Sequence, residues 1–472
     1  MAAPLNLARY VLAAGRDRPD HPALEVLGAG GPSLTHGALA DAVARRAGGL
    51  AASGLAPGAR VMLRLGDTPD FPVTFLACAA AGLVPVPTSA QLTAAEIGPM
   101  AERIDPALVV ADGPGGGGIA LPPGRRVAEA AALDGPALPP EAWPEGDPDR
   151  LGYVVFTSGS GGAPKAVAHA HRAVPARRAM WDGWYGLRAD DRMLHAGAFN
   201  WTYTLGTGLL DPWAAGATAL IPAPGTPATA LPGLLAAHGA TILAAAPGVY
   251  RRLLRGPVPP LPALRHGLSA GEALPPALRA AWRDATGTDL HEALGMSECS
   301  TFVSGSPARP APEGWAGYPQ PGRRVRVEGG RLQVGADDPG LMLGYWEDGA
   351  PRRPEGAWID TGDLAEAAPD GAIRHLGRAD DVLNPGGYRV SPAEVEAALA
   401  DLPVAELAVG QRTLEGGATV LVAYYVGAPL DEAAADAHAA ARLARYKRPR
   451  MWLRREALPR NPNGKLVRRR LG

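Results

Sequence analysis

Helix-like and strand-like stretches alternate early in this chain, and that alternation restricts the fold more than any other feature. Residues 38–53 read as helix, 60–65 as strand, 71–81 as helix and 83–87 as strand, with turns such as Ala56-Pro57-Gly58 between them. This rhythm, from Leu34 to Val110, builds a layered sheet flanked by helices. A second run extends from Tyr153 to about Thr288, with helix expected at 231–238, strand at 240–245 and helix at 276–285, so the two runs look alike. Residues 113–118 and 136–148 interrupt the rhythm with Gly and Pro and read as surface loops. A chain of 472 residues exceeds what a single core supports, roughly 250 to 300 residues, so it divides into at least two domains.

From Gly322 the texture changes. VRVEGGRLQV is two alternating strands around a Gly-Gly turn, and 357–359 and 373–376 continue the hairpin pattern. A helix at 392–399, a strand near 420–426 and an Ala-rich helix ending near Arg445 follow a break at Asp380. The division expected is therefore 1–379 and 380–472.

Composition excludes several classes of function. The formal net charge is -1, which supplies no global field for nucleic acid or an anionic membrane. Met1 to Leu12 lacks a basic region followed by an apolar run, and no segment approaches the roughly 20 apolar residues that span a bilayer. A cytoplasmic protein is the expectation. Cys78 and Cys299 have no metal-ligand spacing and read as reduced, buried side chains.

Of 46 basic residues only three are lysine, Lys165, Lys447 and Lys465, and two of them close glycine-rich segments. An ammonium on a flexible stem is not replaceable by a planar guanidinium at a crowded phosphate. The apolar strand 153–156 runs into Thr157-Ser158-Gly159-Ser160-Gly161-Gly162-Ala163-Pro164-Lys165. Small residues let backbone N–H groups approach phosphate oxygens, hydroxyls donate from the side and a lysine follows. The GxxxxGK[ST] spacing of a Walker A loop is absent, which argues against a P-loop phosphohydrolase.

This segment resembles the phosphate loop [ST]SG[ST]TGxPKG of the AMP-forming acyl-adenylating superfamily: acyl- and aryl-CoA synthetases, luciferases and peptide-synthetase adenylation domains. Gly161 stands where that pattern has Thr and Ala166 where it has Gly. Loss of one hydroxyl removes about 1 kcal/mol of hydrogen bonding and predicts weaker nucleotide binding with activity retained. Leu294-Gly295-Met296-Ser297-Glu298 is similar to the family's YGxTE. The resemblance implies that Ser297 meets phosphate and acyl carboxylate, that Glu298 holds Mg²⁺, and that adenine packs on Leu294 as in benzoate-activating members. Ala270-Gly271-Glu272, inside Ser269 to Pro275, resembles the segment covering the other adenine face, and Glu292 the acceptor of the adenine amino group.

Trp358 to Leu364 is similar to W-x-x-TGD, which implies that Asp363 binds the ribose hydroxyls; a carboxylate suits a cis diol because it accepts from both. Gly377 to Glu396 resembles the family's hinge and glycine loop. By that resemblance Arg378 contacts ribose, Asp380 is the pivot, and Gly386, Gly387 and Tyr388 pass close to the CoA thiol. Leu458 to Lys465 resembles LPRTxxGK, placing Lys465 over the acyl carboxylate and α-phosphate, where negative charge develops during adenylation. Lys447, in a YKxP-like segment, reads as structural.

The implied fold is α/β: a large N-terminal domain of two α/β subdomains plus a β-rich subdomain, with a small mobile α+β C-terminal domain. The implied activity is ATP- and Mg²⁺-dependent activation of a carboxylic acid, aromatic or short- to medium-chain, with transfer to CoA. Phe199, Trp201, Tyr203, Ala246 and Met296 fall where the family builds its acyl pocket. No carrier-protein segment follows Gly472, so CoA is the expected acceptor, with Arg454 or Arg469 on the Arg-rich tail available to its phosphates. Self-association as a homodimer is compatible with this reading. The alternatives are an enzyme loading a separate carrier protein and a nucleotide-binding protein that has lost catalysis.

Overall fold

The computed structural model describes residues 3–28, 31–113, 120–157, 164–379, 381, 383, 390–414, 419–460 and 466–471. These residues form five sheets. The largest has nine strands, of which Pro22–Leu27, Thr218–Pro222, Arg192–His195, Ile242–Ala245, His266–Ala270 and Asp289–Met296 run parallel in that spatial order. Ser300–Ser304 and Tyr318–Pro319 extend one edge antiparallel, and Ser33–Thr35 the other. The first α/β run makes a separate parallel sheet, in the order Val84–Pro87, Arg60–Arg64, Leu108–Ala111, Val127–Glu129. Pro22–Leu27, which precedes the expected start of the first run, crosses to the larger sheet.

The strand expected to open the second α/β run does something else. Leu151–Thr157 pairs antiparallel with Lys165–Ala170 instead of joining a parallel sheet. Gly344–Glu347 and Ala350–Arg352 complete that sheet. It packs on the first parallel sheet through Val84, Val86, Val154, Ala166, Ala168 and Trp346. The expected hairpins past Gly322 form one antiparallel sheet, in the order Val325–Glu328, Arg331–Gly335, Trp358–Ala367, Ile373–Arg378. Residues 390–471 build the smallest sheet, Glu406–Thr413, Thr419–Val426 and Met451–Arg454, with helices Pro392–Ala398 and Glu432–Arg442 around their own core. The architecture is thus α/β in two domains, as expected.

Local chemistry explains the helices. His36–Ala52 starts where the Thr35 side chain accepts from Ala38 N–H at 3.2 Å and buries Leu39, Val43, Ala47 and Leu50 along one stripe. Gly48 and Gly49 face the loop at 133–136 so closely that a Cβ would lie 1.8 Å from Pro136 O or 1.7 Å from Leu133 O. Pro276–Thr286 has Pro at its first turn and ends at Gly287, φ +70°, with Trp282 buried against Tyr250. Cys78 and Cys299 are free and buried. No helix among the described residues is long and apolar enough to cross a membrane.

Beneath the large sheet lies a buried ion pair. Arg177 Nη2 reaches Asp211 Oδ2 at 2.7 Å and donates to Tyr185 Oη at 3.0 Å, while Tyr185 Oη donates to the same carboxylate at 2.8 Å. Arg177 also donates to Ser300 Oγ. Removing one member of such a pair leaves a buried charge uncompensated. Arg177→Met is therefore expected to cost about 3–5 kcal/mol of unfolding free energy, and Arg177→Met with Asp211→Leu to recover most of it, read by chemical denaturation.

Six histidines are buried, and burial lowers the pKa of each, His36 included. Burial pushes His169, His266 and His291 down to about 4, and His171 and His195 down to about 3. His171 Nδ1 accepts from Leu7 N–H at 3.1 Å, a bond that needs the neutral ring. The unfolded chain takes up these protons near pH 6.5 and the native state does not until about pH 3 to 4, so stability falls as pH drops through that interval. Denaturation midpoints are expected to decline steadily from pH 7 to pH 5. In His171→Asn, which keeps an acceptor, the slope should shrink by up to about 1.4 kcal/mol per pH unit.

Candidate functional site

The parallel strands of the large sheet all end on one side, and the segments that follow their carboxyl ends converge there. This is where open α/β sheets bind ligands. After Arg192–His195 come Phe199, Trp201 and Tyr203; after Ile242–Ala245 comes Ala246; after His266–Ala270 come Gly271 and Glu272; after Asp289–Met296 come Ser297 and Glu298.

Ser297, Glu298 and Cys299 form the turn between Asp289–Met296 and Ser300–Ser304. Gly295 is required by the hairpin, since a Cβ there would lie 2.6 Å from Ser300 O, and Ser300 itself is left-handed at φ +61°. The turn's carbonyls are all engaged. His169 Nε2 donates to Ser297 O at 2.8 Å, Met342 N–H to Glu298 O at 2.7 Å, and Arg323 Nη2 to Cys299 O at 2.8 Å. Arg323 is fixed in turn by buried Asp338, 2.9 Å away.

With its backbone held, Glu298 accepts from Tyr345 Oη through Oε1 at 2.9 Å. The Lys165 ammonium lies 4.7 Å from the centre of the same Tyr345 ring. Tyr345 thus ties the lysine that ends the glycine-rich segment to the glutamate of the turn. Thr157 and Lys165 are register partners at the mouth of the hairpin; Ser158, Gly159, Ser160, Gly161 and Gly162 lie outside the described residues.

Glu292 sits on the strand leading to the turn, and its Oε1 accepts from Leu274 N–H at 3.0 Å. Burial raises its pKa, opposed by that hydrogen bond and by the charges of Arg279 and His375. A carboxylate has about four acceptor positions, so one hydrogen bond leaves capacity for an amino group. Ala270 pairs with Ala293 across the neighbouring strands, and Leu294, Gly295 and Met296 follow. Leu294 and Met296 are half-buried against the core formed with Val325 and Tyr345, and Gly295 is exposed.

Asp363 and Arg378 are opposite each other on paired strands. Asp363 is 6% exposed and bonds His375 Nε2 at 3.2 Å through Oδ1; Arg378 Nη1 donates to Thr361 O at 2.8 Å and stands 3.5 Å from Asp363 Oδ1. Burial alone would raise the pKa of Asp363, but the His375 hydrogen bond and the His375 and Arg378 charges hold it below the usual carboxylate value. Gly317 bridges Ile373 next to the edge strand Tyr318–Pro319, so the strand pair from the β-rich sheet lies beside the large sheet.

The aromatic segment divides. Trp201 lies against Gly271, where a Cβ would be 2.8 Å from its Cζ2, and packs edge-on to Tyr203 at 5.1 Å. Tyr203 donates to Leu268 O at 3.2 Å. Phe199 points elsewhere, into the core of the first run against Phe71 at 5.9 Å, so it is a packing residue and not a wall beside Trp201. Its backbone N–H is held by Asp67.

Glu272 makes contacts that its sequence position did not suggest. It bonds Arg460 and Leu466 from the C-terminal domain. Lys447 pairs with Glu394 within that domain. Asp380, Gly386, Gly387, Tyr388 and Lys465 lie outside the described residues. Sequence reasoning missed His169, Arg323, Tyr345 and His375. The available signal was position alone, His169 four residues past Lys165 and His375 three before Arg378.

No group of three or more His, Cys, Asp or Glu side chains among the described residues is placed to hold a metal. A single carboxylate, Glu298, linked through Tyr345 to Lys165, would suit a Mg²⁺ ion carried mainly by other ligands and water rather than an all-protein cage.

The chain is 30% identical to a 3-hydroxybenzoate–CoA ligase of Aromatoleum sp. (strain CIB), across 96% of this chain and 93% of that one. It is 32% identical to an anthranilate–CoA ligase of Pseudomonas aeruginosa, across 88% and 87%. The crystal structure of a benzoate CoA ligase from Burkholderia xenovorans LB400 superposes with a TM-score of 0.86 at 27% identity, covering 99% of each chain. Residues 12–346 match the family described as AMP-binding enzyme, and this chain belongs to that family.

Proposed function

We propose that this enzyme is an ATP-dependent, AMP-forming acid–CoA ligase whose acid is aromatic. The carboxylate attacks the α-phosphorus of ATP, the bond to the bridging oxygen breaks and pyrophosphate leaves, giving acyl-AMP. The CoA sulfur then attacks the acyl carbon, its proton is lost, and AMP departs.

The observation that carries this reading is the link from Lys165 through Tyr345 to Glu298, on a turn whose carbonyls are pinned. It gathers a cation and a carboxylate on one tyrosine, a pairing that suits a triphosphate and its metal. In this assignment Thr157, Lys165 and residues 158–162 bind the β- and γ-phosphates. Ser297 donates to the α-phosphate or acyl carboxylate. Glu292 accepts from the adenine amino group, Leu294 and the Ala270-Gly271-Glu272 backbone cover the adenine faces, and Asp363 with Arg378 takes the ribose. The low pKa of Asp363 keeps it an acceptor at neutral pH. Mg²⁺ on Glu298 would neutralise phosphate charge as pyrophosphate leaves.

Trp201, Tyr203, Ala246 and Met296 form the acyl pocket. Two rigid rings meeting edge-on beside a small residue suit a flat acyl group more than a long flexible one. The relatives' acids, 3-hydroxybenzoate, anthranilate and benzoate, are all of that shape. Lys465 serves adenylation from the C-terminal domain, residues 380–472. That domain then turns about Asp380 and brings Gly386, Gly387 and Tyr388 to the thioester site.

Pyrophosphate release with ATP and Mg²⁺, across aromatic, short, medium and branched acids with and without CoA, tests the reading. Sustained turnover is expected with a substituted benzoate and only with CoA. Release that stops near one equivalent despite CoA would point to a carrier-loading enzyme, and no release with any acid to a binding protein. Lys465→Ala is expected to lower adenylation about 100-fold or more, and to lower thioester formation from supplied acyl-AMP far less. Equal losses in both half-reactions would reject the two-orientation assignment.

A further inference from the structure

The Glu272 carboxylate bonds the two residues that flank 461–465. Arg460 and Leu466 face each other as an isolated antiparallel bridge, and Val467 N–H donates to Pro459 O at 2.8 Å, so the chain closes on itself there. Glu272 Oε1 accepts from Arg460 Nη1 at 3.0 Å and from Leu466 N–H at 3.2 Å. Between those two donors the sequence is Asn461-Pro462-Asn463-Gly464-Lys465. One oxygen of the large domain therefore grips the base of the segment that ends in Lys465, across separations of 188 and 194 residues.

The grip extends on both sides. Arg460 Nη2 bonds Glu406 Oε2 at 2.8 Å within its own domain, and Arg251 Nη2 stands 3.8 Å from Glu272 Oε2 on the other. Charges thus alternate Arg251, Glu272, Arg460, Glu406 across the domain boundary. The side chains of Glu272 and Arg460 retain 18% and 23% of their exposure, so water reaches the pair and it can part without stranding a buried charge.

We propose that Glu272 and Arg460 are positioning residues for the first half-reaction alone. Resting on the acid–CoA ligase reading above, they hold the loop base while Lys465 serves adenylation and release it when the domain turns for thioester formation. Two charge-assisted hydrogen bonds to one oxygen define the position of a loop base more closely than apolar contact, because they fix direction as well as distance. A carboxylate on the segment that covers adenine also couples nucleotide contact to the placement of the lysine loop.

The test measures two half-reactions on purified full-length protein: pyrophosphate release with benzoate or 3-hydroxybenzoate and ATP, and CoA thioester formation from supplied benzoyl-AMP. Arg460→Met is expected to slow the first about 10- to 30-fold and to leave the second within about twofold. Arg460→Lys, which keeps a charged donor, should recover most of the loss. Glu272→Gln should slow adenylation similarly, and adding it to Arg460→Met should cost little more, since both act through one contact. A wild-type protein that forms no acyl-AMP from any acid would overturn the functional reading and this proposal with it. A wild-type protein competent in both steps, with Arg460→Met impaired equally in both or in neither, would overturn this proposal alone.

Discussion

The position of the turn at Ser297-Glu298-Cys299 depends on the satisfaction of its backbone carbonyls, and much of the surrounding structure supplies their donors. A tight hairpin turn directs these oxygens away from its own ladder, and a buried carbonyl without a donor costs about 1–3 kcal/mol. His169 comes from the glycine-loop hairpin, Met342 from the chain leading into Gly344–Glu347, and Arg323 from the entry to the β-rich sheet. Three separate parts of the chain therefore fix one turn, and Glu298 inherits its direction from them. The lowered pKa of His169 follows: the ring is buried, stacks on Tyr153 at 4.8 Å, and must carry its proton on Nε2 to reach Ser297 O. A charged imidazole there would be a buried cation beside the charges of Arg172 and Arg177.

The two domains adhere by different chemistry from that which holds each together. Within the large domain the helices and sheets share extensive apolar cores, with Trp213, Phe75 and Trp282 fully buried. The small domain has its own core around Val395, Leu421 and Trp452. Between them the specific contacts at Glu272 are polar and partly exposed. Apolar cores resist sliding because every displacement opens voids, whereas a few solvated ion pairs are exchanged for water at small net cost. That contrast is what a domain needs if it is to leave one docking site for another.

The α/β rhythm was legible because helix and strand periodicity is local. Helix His36–Ala52 lies within two residues of its expected span at each end, and Thr419–Val426 within one. The partners of strands were not legible. Nothing local to Leu151–Thr157 says which strand it pairs with, and its pairing with Lys165–Ala170 is settled by the buried face they share with Val84 and Trp346. Ala166, where the family pattern has glycine, belongs to the same face; it is 1% exposed and its methyl fills the core instead of crowding the loop. The motif residues were found from their order along the chain, but His169, Arg323 and Tyr345 act across 24 to 128 residues of sequence, with no pattern to announce them. Phe199 illustrates the converse: a position inside an aromatic segment does not say which way a ring points.

The scarcity of lysine is a useful signal only when joined to geometry. Lys447 survives against the arginine bias, pairs with Glu394 and stands 5.8 Å from the centre of the Tyr446 ring, contacts that an arginine makes as well. Lys165 is different. Its ammonium stands over the Tyr345 ring whose hydroxyl is committed to Glu298, so the ring is held from one edge and presents its face to the cation. A guanidinium in that place would stack flat on the ring and spread its donors parallel to it. An ammonium is a compact charge with three rotatable donors, on a strand position opposite Thr157. The requirement for lysine is thus set by the aromatic face behind it, which lies 180 residues further along the chain than the lysine itself.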